Sequence, residues 1–312
     1  MIKEKNIFFA CAALLFSLLL SSCVREKTQP LIGVAWRSNQ NAETFVATCK
    51  AIEAAGGKPV LLQQILSADL AYNANMLTDA KNADRSLSYA AAKLVKCNTF
   101  QNGNVGSMLN DVTAVVFPGG EDISPSLYYD APPVEAAEGF SAERDVSDYL
   151  LMSYCLVNDI PMLCICRGMQ FLSVISGAKM IQDIPYYMAQ KGVDYRYDHR
   201  DKVQESFVFH NVTVTSADSL LRSIVGSSVI ENAPSWHHQA VDSVDGTRLV
   251  VTAVTNTSGI DIIEAVERPD KSFVLGLQFH PEIAVVRELD YTSITYFRAI
   301  VNAARHTMKE KS

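Results

Sequence analysis

The chain has 312 residues, 48% of them hydrophobic and 20% charged, which suits a globular protein able to bury a large core as one domain or two. A formal net charge of −7 argues against general nucleic-acid binding, because phosphate contacts need clustered Lys and Arg and no long basic run occurs. The seven cysteines are too sparse for a dense disulfide framework, and the Cys-x-Cys at 164–166 lacks the second pair that a zinc ribbon requires.

Residues 1–22 read as a secretory signal. Lys3 and Lys5 open it, Ile7 to Leu20 is apolar but short for a membrane span, and small residues follow. Leu20-Ser21-Ser22-Cys23 resembles a bacterial lipobox. That resemblance implies cleavage before Cys23, a lipid on its thiol, and an exported protein anchored to a bacterial membrane and facing the periplasm. Residues 23–29 would be a tether, and 30–312 the folded domain. Cys11 leaves with the signal, so Cys49, Cys97, Cys155, Cys164 and Cys166 remain, an odd number that invites a search for a reactive thiol.

Leu31 to Trp36 reads as a buried strand. Asn41 can cap a helix that turns Phe45, Val46, Cys49 and Ile52 to one face, which places Cys49 in the core. Gly56-Gly57 ends it and a strand begins at Val60, so the opening is β-α-β and a parallel sheet is expected. Residues 64–109 read as peripheral, with a helix over Ser88–Lys96 and a loop from Asn98 to Gly106. Val112 to Phe117 is an apolar strand that runs into Pro118-Gly119-Gly120. Two glycines at a strand's carboxyl end let backbone amides turn toward a ligand, at the edge where open α/β sheets bind. A loop over 126–142 and a helix from Arg144 to Asn158, with Val146, Tyr149, Leu150 and Leu156 inward, come next.

Ile160 to Ile165 forms the strand before Cys166-Arg167-Gly168, and a helical pattern then runs to Gly177. A nucleophile on so sharp a strand-to-helix turn is lifted toward substrate, as in the G-x-S-x-G elbow of hydrolases, and the helix N-terminus favours thiolate over thiol. Cys164 replaces the first glycine of that pattern. Two buried structural cysteines at a strand end would look the same in this stretch alone. Beyond Ala178–Ile184 and a polar section to Glu205, strand-like runs at 207–214, 228–230, 248–254 and 260–266 predict an antiparallel flank, with a hairpin turn at Asp245-Gly246. Ser272 to Phe279 is another buried strand, ending at His280-Pro281-Glu282, and Leu289 to Lys309 is an amphipathic helix.

Of the six histidines, only His280 has a carboxylate two residues on at a strand end. A Cys166–His280–Glu282 set has a clear logic. His280 takes the thiol proton, Glu282 orients the imidazolium, and the thiolate attacks a carbonyl to form a thioester that water hydrolyses. The amides of Arg167 and of Gly119-Gly120 are the expected oxyanion donors.

Phe-Pro-Gly-Gly-Glu-Asp at 117–122, Cys-Arg-Gly-Met-Gln at 166–170 and Gln-Phe-His-Pro-Glu at 278–282 resemble the class I glutamine amidotransferases. More narrowly, with Arg144-Asp145, Gln182-Asp183-Ile184 and Ser235-Trp236-His237-His238-Gln239, the chain from Pro30 to Tyr296 resembles the free-standing gamma-glutamyl hydrolases, which include gamma-glutamyl-GABA hydrolases. The resemblance implies a flavodoxin-like three-layer α/β sandwich, with a mostly parallel central sheet and an antiparallel flank. It implies the triad above, Gln170 near the substrate amide, and Ser235, His237 and His238 lining the pocket. Cys164 in place of the family's usual Gly, a long 64–109 segment and the signal are departures.

No ATP-dependent synthetase domain accompanies the motifs, and an exported protein lacks ATP, so hydrolysis is expected rather than ammonia transfer. The expected substrate is a small gamma-glutamyl amide or peptide that releases glutamate. The alternatives are an amidase or peptidase of the same fold acting on cell-wall peptides, and a catalytically silent binding lipoprotein. This reading calls for no organic cofactor, no metal and no nucleic acid. The membrane is a partner through the lipid, and a homodimer is left open.

Overall fold

The computed structural model describes residues 29–129, 139–201, 203, 205–289 and 292–310, so the signal, Cys23 and residues 24–28 of the tether lie outside the described residues. The strands are β1 (Leu31–Val34), β2 (Lys58–Leu61), β3 (Tyr72–Asn73), β4 (Met76–Leu77), β5 (Val112–Phe117), β6 (Met162–Ile165) and β7 (Lys179–Ile181), then β8 (Val208–Val214), β9 (Val229–Ser235), β10 (Ala240–Ser243), β11 (Val250–Thr257), β12 (Ile260–Glu267) and β13 (Val274–Leu277). Nine of them form one sheet in the order β2-β1-β5-β6-β13-β12-β11-β8-β9. The pairs from β2 to β13 are parallel and those from β13 to β9 antiparallel. Counted in chain order, the five parallel strands run 2-1-3-4-5, the flavodoxin-like arrangement, so the expected fold class is the observed one.

Parallel strands covered on both faces need continuous apolar runs, and β5 and β6 are buried along their whole length. The helices Glu43–Ala54 and Ile294–Glu310 cover one face, packing Phe45, Ile52, Phe297 and Ile300 with Ile32, Val116 and Ile165. The helices Ala142–Val157 and Arg167–Ile175 cover the other, packing Val146, Leu150 and Phe171 with Val115 and Met162.

Several local expectations are corrected. Asn41 does not cap the first helix: Ala42 is the N-cap and supplies no side-chain hydrogen bond, while the Asn41 N–H donates to Asn39 Oδ1. Val46 is exposed and Cys49 half-buried, because Ala47, Thr48 and Ala51 take the inward face with Phe45 and Ile52. Residues 64–109 are not peripheral. Ser88 caps the helix Tyr89–Asn98, and Leu77, Leu87, Ala91 and Val95 are core residues. A short helix, Val105–Met108, begins inside the expected loop, and another, Ile184–Gln190 with Asp183 as its cap, lies in the polar section. Asp245-Gly246 joins strands of different sheets, since β10 pairs with β7 alone. The hairpin is instead β11–β12, turned by Ser258 and Gly259, both at positive φ.

Candidate active site

The three motifs stand at the carboxyl ends of β5, β6 and β13, adjacent parallel strands, where open α/β sheets place their ligand crevice. Alternation along β6 sends Met162 and Cys164 into one core cluster and Leu163 and Ile165 into the other. Cys166 breaks that alternation. It adopts φ 51°, ψ −106°, a strained conformation for a residue with a Cβ, and packs with the second cluster, so the two thiols fall on opposite sides of the sheet. Its N–H donates to Leu277 O at 2.6 Å, and its carbonyl accepts from Gln170 N at 3.1 Å in the first turn of the helix. The turn needs Gly168, since a Cβ there would lie 2.3 Å from Phe117 O.

Gly119 is where thiol and imidazole meet. A Cβ on it would stand 2.8 Å from His280 Cε1 and 3.4 Å from Cys166 Cβ. His280 Nδ1 lies 2.7 Å from Glu282 Oε1, and both residues are buried at the start of the helix Pro281–Val286, with Pro281 in its first turn. Burial alone would lower the His280 pKa, but the Glu282 carboxylate and Cys166 raise it to about 10.

Behind the Gly-Gly turn lies an ionic network, buried except at Arg37 and Glu121, which are half-buried. Arg144 donates to Pro118 O at 2.8 Å and Gly119 O at 3.1 Å, and its Nη1 pairs with Glu121 at 2.5 Å. Arg37 also pairs with Glu121, at 3.3 Å. Arg167 pairs with Asp145 at 2.6 Å and with Asp148. Burial would raise the Glu121 pKa, yet Arg144, Arg37 and Arg167 bring it down to about 2.

Cys166, His280 and Gly120 line a cavity of about 690 Å³ with Phe207, Trp236 and three arginines, Arg37, Arg200 and Arg287. An adjoining lobe of about 240 Å³ shares Cys166 and Gly120 and adds Gln170, His237 and His238. Gln170 Nε2 donates to Gln239 O at 3.1 Å. Ser235 is not brought to the cavity: it is fully buried and its Oγ donates to His199 O at 2.9 Å. His238 bridges two carboxylates, with Nδ1 3.0 Å from Asp183 and Nε2 3.2 Å from Asp122. Burial would lower its pKa, but these two hydrogen bonds raise it to about 9.

Sequence reasoning missed the arginines and the aromatic groups beneath two of them, with Arg200 over Trp236 and Arg287 over Phe207. Arg37 alone carried a signal, because it follows the carboxyl end of β1.

Residues 89–282 match the family model described as Peptidase C26. The chain is 35% identical over 202 residues to a candidate glutamine amidotransferase of Mycobacterium tuberculosis, covering 64% of this chain and 58% of that relative, so it spans little more than half of that relative's length. It is 24% identical over 206 residues to the gamma-glutamyl-gamma-aminobutyrate hydrolase of Escherichia coli O157:H7, covering 65% of this chain and 76% of that one. Among solved structures, a candidate GMP synthase protein of Thermoplasma acidophilum superposes with a TM-score of 0.52 at 13% identity, over 91% of this chain and 98% of that one, a likeness of fold alone.

Proposed function

The chain belongs to the Peptidase C26 family of class I glutamine amidotransferase-like proteins, and from that premise we propose that it is a cysteine hydrolase that cleaves gamma-glutamyl amide or peptide bonds and releases glutamate. The observation that carries the reading is the meeting of a strained elbow cysteine and a Glu282-bound imidazole at one glycine turn. The Cys166 sulfur attacks the gamma-carbonyl carbon, and the oxygen takes the negative charge among the amides of the Gly119-Gly120 turn and Arg167. Because Glu282 holds Nδ1, Nε2 is the nitrogen that gives its proton to the leaving amine as the C–N bond breaks. Water then attacks the thioester carbon and loses a proton to Nε2. Glutamate departs and the thiol is restored.

Three guanidinium groups line the cavity with Glu43 and Glu205, Arg37 paired with Glu121 and Arg287 with Glu43, and they suit a substrate with carboxylates at both ends, one on the glutamyl Cα and one on an acidic leaving group. The Escherichia coli relative is named for such a compound, gamma-glutamyl-gamma-aminobutyrate. Glutamate release should be measured over a panel of gamma-glutamyl amides with acidic, neutral and basic leaving groups. Cys166→Ala should lower turnover by about 10³-fold or more, with acidic leaving groups the best substrates of the wild type. Unchanged turnover in Cys166→Ala would remove the mechanism.

A further inference from the structure

One cluster of chemistry-bearing side chains lies outside the triad. His199, His210 on β8, His237 after β9 and Glu264 on β12 converge in the antiparallel flank, with their side chains buried. Glu264 Oε1 lies 3.1 Å from His199 Nδ1, 3.7 Å from His237 Nε2 and 3.8 Å from His210 Nε2. All four of these atoms are buried without a hydrogen-bond partner, as are Glu264 Oε2 and His210 Nδ1. A fully buried carboxylate whose two oxygens accept nothing is costly.

The hydrogen bonds on the outer side of the cluster say what faces inward. Gln239 O lies 2.8 Å from His237 Nδ1, and a carbonyl only accepts, so the proton sits on Nδ1. In the neutral ring the lone pair is then on Nε2, the nitrogen on the side of Glu264. His199 Nε2 lies 2.8 Å from Thr257 Oγ1, a hydroxyl that can donate or accept, and its Nδ1 lies toward Glu264. A second ring nitrogen fixed by an outer hydrogen bond is the usual support of a metal-bound histidine.

We propose that His199, His237 and Glu264, with His210 as the fourth ligand, hold a divalent first-row transition cation of the zinc type. Tetrahedral bonds of about 2.0–2.1 Å place neighbouring ligand atoms about 3.4 Å apart, and the three separations above bracket that value. The donor atoms of His199, His237 and Glu264 all lie within 4.8 Å of one another. Imidazole nitrogens with one carboxylate suit zinc, nickel, copper or iron and not calcium or magnesium. The cation would tie the segment that carries Arg200 and the segment that carries Trp236 and His238 to β12, and so hold one wall of the cavity. The site stands whether or not Cys166 is a nucleophile.

The full chain, purified without a histidine tag, should carry close to one equivalent of a first-row metal by elemental analysis. After stripping by chelator, Zn²⁺ should raise the melting temperature by several degrees, and Co²⁺ should give the visible d–d bands of a tetrahedral N/O site. Glu264→Gln should lose the equivalent, and His210→Asn, which removes the fourth ligand, should weaken Zn²⁺ binding by about 10-fold or more. Wild-type protein that holds no metal and melts at the same temperature with and without excess Zn²⁺ overturns the site. So does a folded His210→Asn/Glu264→Gln variant that keeps a full equivalent.

Discussion

Two buried polar assemblies support the cavity, and they balance their charge in different ways. On the parallel half, the guanidinium groups of Arg37, Arg144 and Arg167 interleave with the carboxylates of Glu121, Asp145 and Asp148, and each ion pairs with at least one of opposite sign. In the antiparallel flank a single carboxylate, Glu264, faces three imidazoles without a hydrogen bond. The first assembly is closed within the chain. In the second, among the described residues, only imidazoles and no permanently charged cation face the carboxylate. The lesson is that burial alone does not mark a ligand site; a buried charge with no permanent counter-charge does.

The largest effect should come from opening the closed assembly. Asp148→Ala leaves Arg167 with one carboxylate and removes a charge from beside Arg144, both fully buried. Breaking a buried pair from one side costs about 3–5 kcal/mol, because the remaining charge is uncompensated. Urea unfolding of the wild type and Asp148→Ala should show that loss as a shift of midpoint at constant slope. A change under about 1 kcal/mol would mean that water reaches the network and that the contrast between the two assemblies is false.

A smaller effect should appear where the halves meet. His238 joins Asp122, which follows β5, to Asp183, the cap of the helix Ile184–Gln190. Its folded pKa of about 9 lies above the ordinary 6.5, so its contribution is complete below pH 6.5 and is lost as pH rises through 9. The full span is on the order of 3 kcal/mol. His280 titrates in a neighbouring range, so the quantity to measure is the wild-type melting temperature minus that of His238→Gln, from pH 6 to pH 10. The difference should shrink toward high pH. A constant difference would remove the charge from this link.

The parallel half was legible because its signals are local. Val112–Phe117 is a continuous apolar run, the glycine turn and Cys166 each follow a strand directly, and His280 and Glu282 are two residues apart. Adjacency in the sheet then brings together what the sequence keeps 47 to 163 residues apart, from Gly119 to Cys166 and to Glu282. The flank offered no such signal. His199, His210, His237 and Glu264 come from four segments, and only the strand order β12-β11-β8-β9 with the chain around His199 collects them. Read locally, His237-His238 is a pair. In the fold the two rings part, one to Glu264 and the other to Asp122 and Asp183. Cys164 illustrates the same limit. The spacing places it beside Cys166, but the left-handed turn at 166 sends the two side chains into different cores.

The smallest effect sharpens the comparison most. In chelator-stripped protein, Glu264→Gln removes a desolvated charge that no hydrogen bond compensates. The new amide keeps an oxygen and gains N–H donors, and Nε2 of His237, whose Nδ1 faces the Gln239 carbonyl and which lies 3.7 Å from the present oxygen, can accept one after a small rotation. Exchanging an unpaired buried charge for a paired amide is close to neutral, so stripped wild type and stripped variant should differ by no more than about 1 kcal/mol in urea unfolding. The same substitution in zinc-loaded protein removes a ligand and should cost the whole stabilisation that zinc gives. A penalty equal in both states would mean that Glu264 is paired to an imidazolium within the chain, as the carboxylates of the parallel half are paired to arginine.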